Sequence, residues 1–262
     1  MGILNVTDDS FSDGGESSTL ESAMSRAARL VEEGADILDI GGESTRPGAR
    51  PVPVEEELRR VIPVLREVRG RWRELVVSID TRNSAVAREA IALGAGIIND
   101  ISALGHDPRM AEVVAAAPGV KLILMHMQGQ PETMQDNPAY EDLLAQIDAF
   151  FTDRIALAME QGISRHNLLL DPGIGFGKTP EHNFRLLASL QRFRAHALPL
   201  VVGASRKRFI AAVDPSEPRD RIGGTLAAAV MAAWQGVEVL RVHDVKAHRQ
   251  FFSVLQAVFK ET

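Results

Sequence analysis

The sequence predicts an α/β fold in which eight strand–helix units close into a (β/α)8 TIM barrel, and three observations favour it. The chain has 262 residues, close to the roughly 250 residues of such a barrel. Short apolar runs without polar alternation recur along it, as in strands that are buried on both faces. Each run is followed by a segment with apolar residues three and four positions apart, as in amphipathic helices. Eight such units follow one another, and a parallel barrel closes at eight.

Eight runs rich in Ile, Leu and Val are predicted as the strands. In chain order they are GILNV (2–6), ADILDI (35–40), LVVSID (75–80), GIIND (96–100), KLILMH (121–126), NLLLD (167–171), LPLVVG (198–203) and EVLRVHD (238–244). Their length and lack of alternation are typical of a parallel sheet that is covered by helices.

The segments between these runs have helical periodicity. They are 20–34, 54–70, 84–94, 108–118, 140–162, 181–193, 220–236 and 247–261. Five glycines are predicted to end helices, because glycine adopts the left-handed conformation found just after a helix: Gly34, Gly70, Gly94, Gly162 and Gly236. No linker interrupts the pattern, so one domain is predicted over 1–262. An open, doubly wound sheet is the alternative with the same alternation.

The composition excludes several classes of function. The net charge of −6 argues against a general nucleic-acid-binding surface. The absence of cysteine excludes disulfides, thiolate metal sites and a cysteine nucleophile, and is consistent with a cytoplasmic protein. No run of 18 apolar residues predicts a membrane span, and GILNV is too short and lacks the basic leader of a signal peptide.

Polar or ionisable residues follow nearly every predicted strand. They are Asn5, Asp39, Asp80, Asn99, Asp100, His126, Asp171, Ser205, Arg206, Lys207, Arg241, His243 and Asp244. Any single aspartate at such a position can be a helix N-cap. The whole set, at the strand ends that form the active face of a barrel, indicates a functional site.

The strand-end residues divide into two chemistries. Arg46, Lys207, Arg241 and His243 can carry positive charge and suit a phosphate or pyrophosphate. A second group, Asp80, Asn99 and Asp171, suits a heterocycle that offers several N–H donors. Two loops longer than such folds require, 7–19 and 41–53, are predicted to be functional.

Two other motifs suggest different functions, but the sequence supports each of them less well. PGIGFGKT (172–179) imitates a phosphate-binding loop, but Pro172 stands where that motif needs glycine. His126 and His243 with nearby aspartates suggest a metal-dependent hydrolase, yet such sites need several histidines at close spacing. A structural role is expected for His126. The other five histidines are predicted at the surface: His106, His166, His182, His196 and His248.

At these residues the sequence strongly resembles the dihydropteroate synthase family, the sulfonamide targets of folate biosynthesis. The resemblance spans essentially the whole chain through MGILNVTDDSFSDGG, GGESTRPGA, VSIDT, IINDI, LMHMQG, LLLDPGIGFGK, GASRKRFI and LRVHDV. It implies a pterin-binding barrel over 1–262 that acts as a homodimer. It further implies Mg²⁺-assisted condensation of 6-hydroxymethyl-7,8-dihydropterin pyrophosphate with p-aminobenzoate, giving 7,8-dihydropteroate and pyrophosphate.

The resemblance also implies roles for individual residues. The pterin is expected to contact Asp80, Asn99, Asp171, Lys207, Arg241, Met125 and Gly203. The p-aminobenzoate and pyrophosphate are expected to contact Thr45, Arg46, Pro47, Phe176, Ser205 and His243. The residues expected to act in catalysis are Asp80, Lys207, Arg241, His243 and, on the first loop, Asp13. Asn5 is expected to ligate Mg²⁺.

The chain departs from the family pattern in three places. Asp8 stands where many members have proline, and Arg208 stands where several have a serine at the p-aminobenzoate site. Relatives usually have a hairpin before the first strand, so a trimmed N-terminus is expected.

Two further functions share the ring-binding carboxylates: an inactive pterin-binding paralogue and a methyltransferase-type pterin-binding domain. An inactive copy is expected to have lost a site residue, and a methyltransferase has no need of Arg46, Arg241 and His243 as a pyrophosphate set. The segment 225–236 is too apolar for one buried stripe and is predicted to form a dimer contact.

Overall fold

The computed structural model describes residues 1–6, 16–44, 48–49 and 51–260, with the backbone alone for 16–19. Eight strands lie along these residues: β1 (Gly2–Asn5), β2 (Ile37–Gly41), β3 (Val76–Asp80), β4 (Ile97–Asp100), β5 (Lys121–Met125), β6 (Leu168–Asp171), β7 (Val201–Val202) and β8 (Val239–Leu240). Every pairing between them is parallel. Each strand lies inside one of the predicted runs, except that β2 extends one residue beyond its run, to Gly41.

The helices alternate with the strands as predicted, except that a short additional helix follows β7. They are α1 (Glu16–Glu32), α2 (Val54–Arg71), α3 (Ser84–Ala92), α4 (Met110–Ala115), α5 (Leu143–Glu160), α6 (Pro180–Leu187), α7 (Arg208–Ala211), α8 (Ile222–Trp234) and α9 (Val245–Lys260). No helix in the described part of the chain is long and apolar enough to cross a membrane.

The strands close into a ring. β1 to β6 are neighbours in chain order, and β7 pairs with β8. Single bridges join the two groups, Leu170 with Leu200 on one side and Gly2 with Val242 on the other. Closure confirms the predicted (β/α)8 barrel over the doubly wound sheet, because an open sheet has no pairing between its first and last strands.

The barrel buries its strands on both faces, which explains the unbroken apolar runs. Residues that point outward, such as Leu38, Ile79 and Leu122, pack into the main core under the helices. Residues of the opposite parity form a separate cluster inside the barrel: Met1, Ile97, Ile123, Leu169 and Val201, with Ile37 and Val239 packed against it. We call these seven residues the lower layer.

Two predictions of where helices end are wrong, and a third wrong prediction concerns the burial of His248. Gly70 does not end a helix, because α2 continues to Arg71; the other four glycines do have left-handed φ angles of 80° to 95°. The predicted helix 181–193 ends at Leu187, whose carbonyl accepts a hydrogen bond from Gln235, and a 3-10 helix follows at Leu190–His196.

His248 was predicted at the surface and is buried in α9, where its Nδ1 lies 2.7 Å from the Asp244 carbonyl oxygen. The sequence offers no local sign of this, because the residues that bury His248 come from other elements.

Candidate active site

A cavity opens at the carboxyl ends of the strands. Eight of the predicted site residues line it: Asp80, Asn99, Met125, Asp171, Phe176, Gly203, Lys207 and Arg241. The register explains their meeting, since Gly41 pairs with Asp80, Asp80 with Asn99, and Met125 with Asp171. The residues that carry the predicted ring-binding chemistry therefore share one enclosure.

Arg241 is the electrostatic centre of this cavity. Its Nε donates to Asp39 Oδ2 at 2.6 Å, and its Nη2 donates to Asp80 Oδ2 at 2.7 Å. Burial raises the pKa of Asp80 to about 7, against the opposing effect of Arg241 and with a further contribution from Asp39. Two buried carboxylates thus share one guanidinium, which orients all three groups.

Asp39 is a functional candidate to which the sequence analysis gave no role. It is fully buried, and Asn99 Nδ2 lies 3.4 Å from its Oδ2. In the described structure, Asp39 Oδ1 and Asn99 Oδ1 are buried without a hydrogen-bond partner. Buried acceptors of this kind need donors, and a ligand rich in N–H groups supplies them at Asn99, which lines the cavity.

Asp171 forms another acceptor of the cavity. Its Oδ1 accepts a hydrogen bond from the Gly173 amide at 2.7 Å, which holds the carboxylate in place. Burial raises its pKa to about 6, while Gly173 and the cations Lys207, Arg241 and Lys178 oppose that rise. At neutral pH the group is mainly a carboxylate that accepts hydrogen bonds.

Lys207 and Phe176 form one side of the cavity. Lys207 Nζ lies 4.0 Å from the centre of the Phe176 ring, a cation–π contact. Burial and Arg241 lower the pKa of Lys207 to about 8. An aromatic ring with a cation against its face suits a planar ligand that carries negative charge.

Ser205 and His243 lie beside each other. Neither is among the described residues that line the cavity. Ser205 Oγ lies 3.0 Å from His243 Nδ1 and accepts from the His243 amide at 3.2 Å. Burial lowers the pKa of His243 to about 3, with Arg206 the next cause, so the imidazole is neutral near pH 7. Arg206 is held in a left-handed conformation (φ 59°), with its Nε donating to Asp244 at 2.9 Å.

The remaining predicted site residues either do not line the cavity or lie outside the described residues. Asn5 ends β1 opposite Gly41, and its carbonyl accepts from Arg26. Asp13, Thr45, Arg46 and Pro47 lie outside the described residues. Within the described part of the chain, no three His, Asp or Glu side chains cluster as a metal site.

The motif that imitates a phosphate-binding loop is built differently. Lys178 is buried, and its Nζ lies 2.9 Å from His126 Nδ1 instead of facing an open anion site. Burial, with Lys178 next, lowers the pKa of His126 to about 2. His126 is therefore a neutral, hydrogen-bonded residue, in line with the structural role expected for it.

Sequence reasoning missed three other lining residues, Ile101, Gly173 and Ile174. Ile101 follows β4 directly and belongs to a small buried cluster with Met125 and Phe176. Position after a strand end was the available signal, but the search for polar chemistry passed over an apolar wall.

Comparisons with known proteins identify the family to which the chain belongs. A family model described as "Pterin binding enzyme" matches residues 1–243. A dihydropteroate synthase of Escherichia coli is 49% identical over 98% of this chain and 90% of its own length.

Solved structures are equally close in fold. A Xanthomonas albilineans dihydropteroate synthase with 4-aminobenzoic acid is 49% identical, with a TM-score of 0.92 over 98% of this chain and 92% of that chain. The same organism's enzyme in complex with 7,8-dihydropteroate is 45% identical, with a TM-score of 0.88 over the same shares of the two chains.

Proposed function

The chain belongs to the pterin-binding enzymes and, within them, to the dihydropteroate synthase family, and on that premise we propose its reaction. It is a transferase of folate biosynthesis that condenses 6-hydroxymethyl-7,8-dihydropterin pyrophosphate with p-aminobenzoate. The products are 7,8-dihydropteroate and pyrophosphate. The observation that carries this conclusion is the cavity in which Asp80, Asn99 and Asp171 meet Arg241 and Lys207.

The pterin ring fits the acceptors of the cavity. Its exocyclic amine and ring N–H groups donate to Asp171, which Gly173 already orients. Asn99 offers a buried oxygen without a partner to another edge of the ring. Matching donors to buried acceptors favours the pterin over rings that lack them, because an unmatched buried acceptor costs about 1–3 kcal/mol.

Departure of pyrophosphate leaves a methylene cation that is delocalised into the pterin ring. Arg241 holds Asp80 at the cavity, and the ionised form of Asp80 stabilises the positive charge as it develops. The aniline nitrogen of p-aminobenzoate then forms the new C–N bond and loses a proton. Arg241 and His243 are the groups we assign to the leaving pyrophosphate.

The second substrate is assigned to the Phe176 side of the cavity. The ring of Phe176 and Lys207 Nζ, 4.0 Å from its centre, offer an apolar face and a nearby positive charge. These suit the benzene ring and the carboxylate of p-aminobenzoate. Asp13, Thr45, Arg46 and Pro47 are proposed to complete the site from the two long loops.

We propose Mg²⁺ as the cofactor, with Asn5 as its protein ligand. Mg²⁺ usually keeps several waters and is bound through few protein groups, most often one or two carboxylates, together with substrate phosphates. Asn5 at the end of β1 offers a neutral amide oxygen in place of a carboxylate, so the pyrophosphate of the substrate would supply the negative charge. When bound, the ion would neutralise charge on the leaving pyrophosphate.

We also propose a homodimer in the cytoplasm. Met231 and Trp234, three residues apart on α8, are 41% and 63% exposed. On α9, Val254 and Val258 are exposed by 61% and 57%. Covering such apolar faces with a second copy of the chain is favourable. Sedimentation of Trp234→Glu beside the wild type tests this: the variant is expected to be monomeric, and an unchanged dimer would exclude Trp234 from the interface.

The reaction is tested by mixing the protein with dihydropterin pyrophosphate, radiolabelled p-aminobenzoate and Mg²⁺, and following labelled dihydropteroate. Product that requires the diphosphate and Mg²⁺, and is lost in Asp80→Ala, is the expected result. Tight pterin binding without product in the wild type would instead indicate the inactive paralogue. The methyltransferase-type alternative is not favoured, because the matched relatives named here are synthases.

A further inference from the structure

The glycine-rich segment 172–178, which follows β6, has a feature that the proposed reaction does not use. Ile174 and Phe176 line the cavity, whereas Lys178 at the end of the segment does not. Lys178 is 2% exposed, and lysine is almost never buried unless it is paired.

The ammonium group of Lys178 is fully matched. Its three N–H donors face three acceptors: His126 Nδ1 at 2.9 Å, the Phe176 carbonyl oxygen at 3.0 Å and the His126 carbonyl oxygen at 3.4 Å. Burial lowers the pKa of Lys178 to about 7, against the opposing effect of Asp171. Donation to Nδ1 leaves the proton of the neutral imidazole on Nε2. The lysine therefore joins the segment after β5 to the backbone of Phe176.

Other backbone groups of the segment also form hydrogen bonds with neighbouring elements. The Gly175 amide donates to Asn183 at 2.6 Å, and the Gly175 carbonyl accepts from Gln135 at 2.8 Å. Tyr140 donates to the Gly177 carbonyl at 2.8 Å. These three hydrogen bonds come from residues outside the segment, so its shape depends in part on the packed surroundings.

The backbone of the segment lies directly against the residues that follow β5. Gly173 and Gly177 have φ angles of 67° and 59°. A Cβ added to Gly173 would lie 1.9 Å from the His126 carbonyl oxygen, and one on Gly177 would lie 2.3 Å from the Gln128 carbonyl oxygen. Only glycine permits this contact.

We propose that Lys178 is a positioning residue for the second substrate: held by His126, it fixes the Phe176 carbonyl and so the ring that faces Lys207. The proposal rests on the assignment of p-aminobenzoate to the Phe176 side. Lys178 acts through Phe176 and does not touch the reacting atoms. Its loss should therefore affect p-aminobenzoate much more than the pterin, which binds to Asp171 and Asn99.

The test compares Lys178→Met with Lys121→Met, a matched loss of an exposed lysine at the opposite end of the barrel. Lys178→Met is expected to raise KM for p-aminobenzoate about tenfold or more, because small misplacements of a positioning group weaken productive binding. The Kd for dihydropterin pyrophosphate, measured by calorimetry, should stay within about twofold of the wild type. Lys121→Met should change neither.

The histidine side of the contact is tested separately. His126→Leu removes the acceptor of the ammonium and should raise the same KM, whereas His126→Asn keeps an acceptor and should restore most of the affinity. These variants, with Lys178→Arg, carry the test if Lys178→Met does not fold. Amide hydrogen exchange over 172–178 should speed up in Lys178→Met and not in Lys121→Met.

An unchanged KM for p-aminobenzoate in Lys178→Met overturns the proposal, and so does an equal loss of both substrates, which indicates general unfolding of the site. Failure of the proposed reaction is distinguished by the wild type, which would then make no dihydropteroate. The exchange measurement does not need activity, and unchanged protection of 172–178 would overturn the positioning role in that case as well.

Discussion

The two halves of the barrel interior are built from the same strands and have opposite chemistry. The lower layer is apolar, and two residues further along four of the strands the side chains are charged or polar. The paired positions are Ile37 and Asp39 on β2, Ile97 and Asn99 on β4, Leu169 and Asp171 on β6, and Val239 and Arg241 at β8. A step of two residues keeps a side chain on the same face of a strand, so each pair points into the barrel.

The difference teaches how one scaffold divides stability from function. Burying an aliphatic side chain of the lower layer contributes about 1.5–3 kcal/mol to folding. Burying the carboxylates above it is unfavourable unless they are paired, and Arg241 pairs only two of them. The lower layer therefore stabilises the barrel, while the upper half holds groups that a ligand completes.

Replacing Arg241 by methionine should give the strongest evidence for this division. The change leaves Asp39 and Asp80 without their buried partner, so the free energy of unfolding should fall by about 3–5 kcal/mol. Synthase activity should fall by about 10² or more, because a fixed charge of the site is lost. Urea unfolding and the product assay measure the two effects.

A second change controls that result. Adding Asp39→Asn to Arg241→Met should recover part of the stability, because one unpaired carboxylate is removed, but no activity. If Arg241→Met alone were as stable as the wild type, the ion pairs would not be what holds the carboxylates in the upper half.

Truncation in the lower layer should give the opposite pattern. Leu169→Ala removes a buried side chain two residues before Asp171 and should cost about 2–5 kcal/mol of stability. Below its melting temperature the variant should keep kcat and both substrate affinities within about twofold, since Leu169 does not line the cavity. A large loss of pterin affinity in Leu169→Ala would show that the two halves are coupled.

The pH dependence of stability should also separate the halves. Burial raises the pKa of Asp171 from 3.8 to about 6, so between these values the folded protein binds a proton that the unfolded chain releases. The stability of the wild type relative to Asp171→Asn should therefore fall as pH rises from about 4 to about 6. The drop is at most about 3 kcal/mol, at about 1.4 kcal/mol per pKa unit.

Urea unfolding at a series of pH values measures this difference. Leu169→Ala provides the comparison, because its stability relative to the wild type should not change across the same window. A wild type that gains stability relative to Asp171→Asn as pH rises from about 4 to about 6 would contradict the assignment of a raised pKa.

The smallest expected effect is at the edge of the site. Ser205→Ala removes the hydroxyl that accepts from the His243 amide and lies beside Nδ1. The loss should cost about 1 kcal/mol of stability. KM for dihydropterin pyrophosphate should rise a few-fold through a less fixed His243, with KM for p-aminobenzoate unchanged. Steady-state kinetics with each substrate varied in turn decides between this outcome and an equal effect on both.

Much of the fold could be predicted because it is written in local patterns. The apolar runs locate all eight strands, although only two residues each of 198–203 and 238–244 pair as β7 and β8. Helix ends were less predictable, as Gly70 shows: its φ depends on whether the chain turns there, and α2 continues past it.

The site was predictable in its members and less so in its pairings. Strand-end position identified Asp80, Asn99 and Asp171, which do line the cavity. The contact of Asp39 with Arg241 was missed because the two residues are 202 positions apart and meet only when the ring closes. The sequence places Lys178 in the motif that imitates a phosphate-binding loop. The burial of its ammonium group could not be predicted, because it depends on His126, 52 residues earlier.

Calorimetric titration of dihydropterin pyrophosphate into the wild type, Asp171→Asn and Leu169→Ala tests the central claim most directly. The claim predicts that Asp171→Asn weakens binding about 100-fold, because an amide cannot replace both acceptors of a carboxylate that receives N–H donors. Leu169→Ala, two residues away on the same face but outside the cavity lining, should bind within about twofold of the wild type. Equal weakening by both variants, or wild-type affinity in Asp171→Asn, would contradict the division of the barrel into a stabilising half and a ligand-binding half.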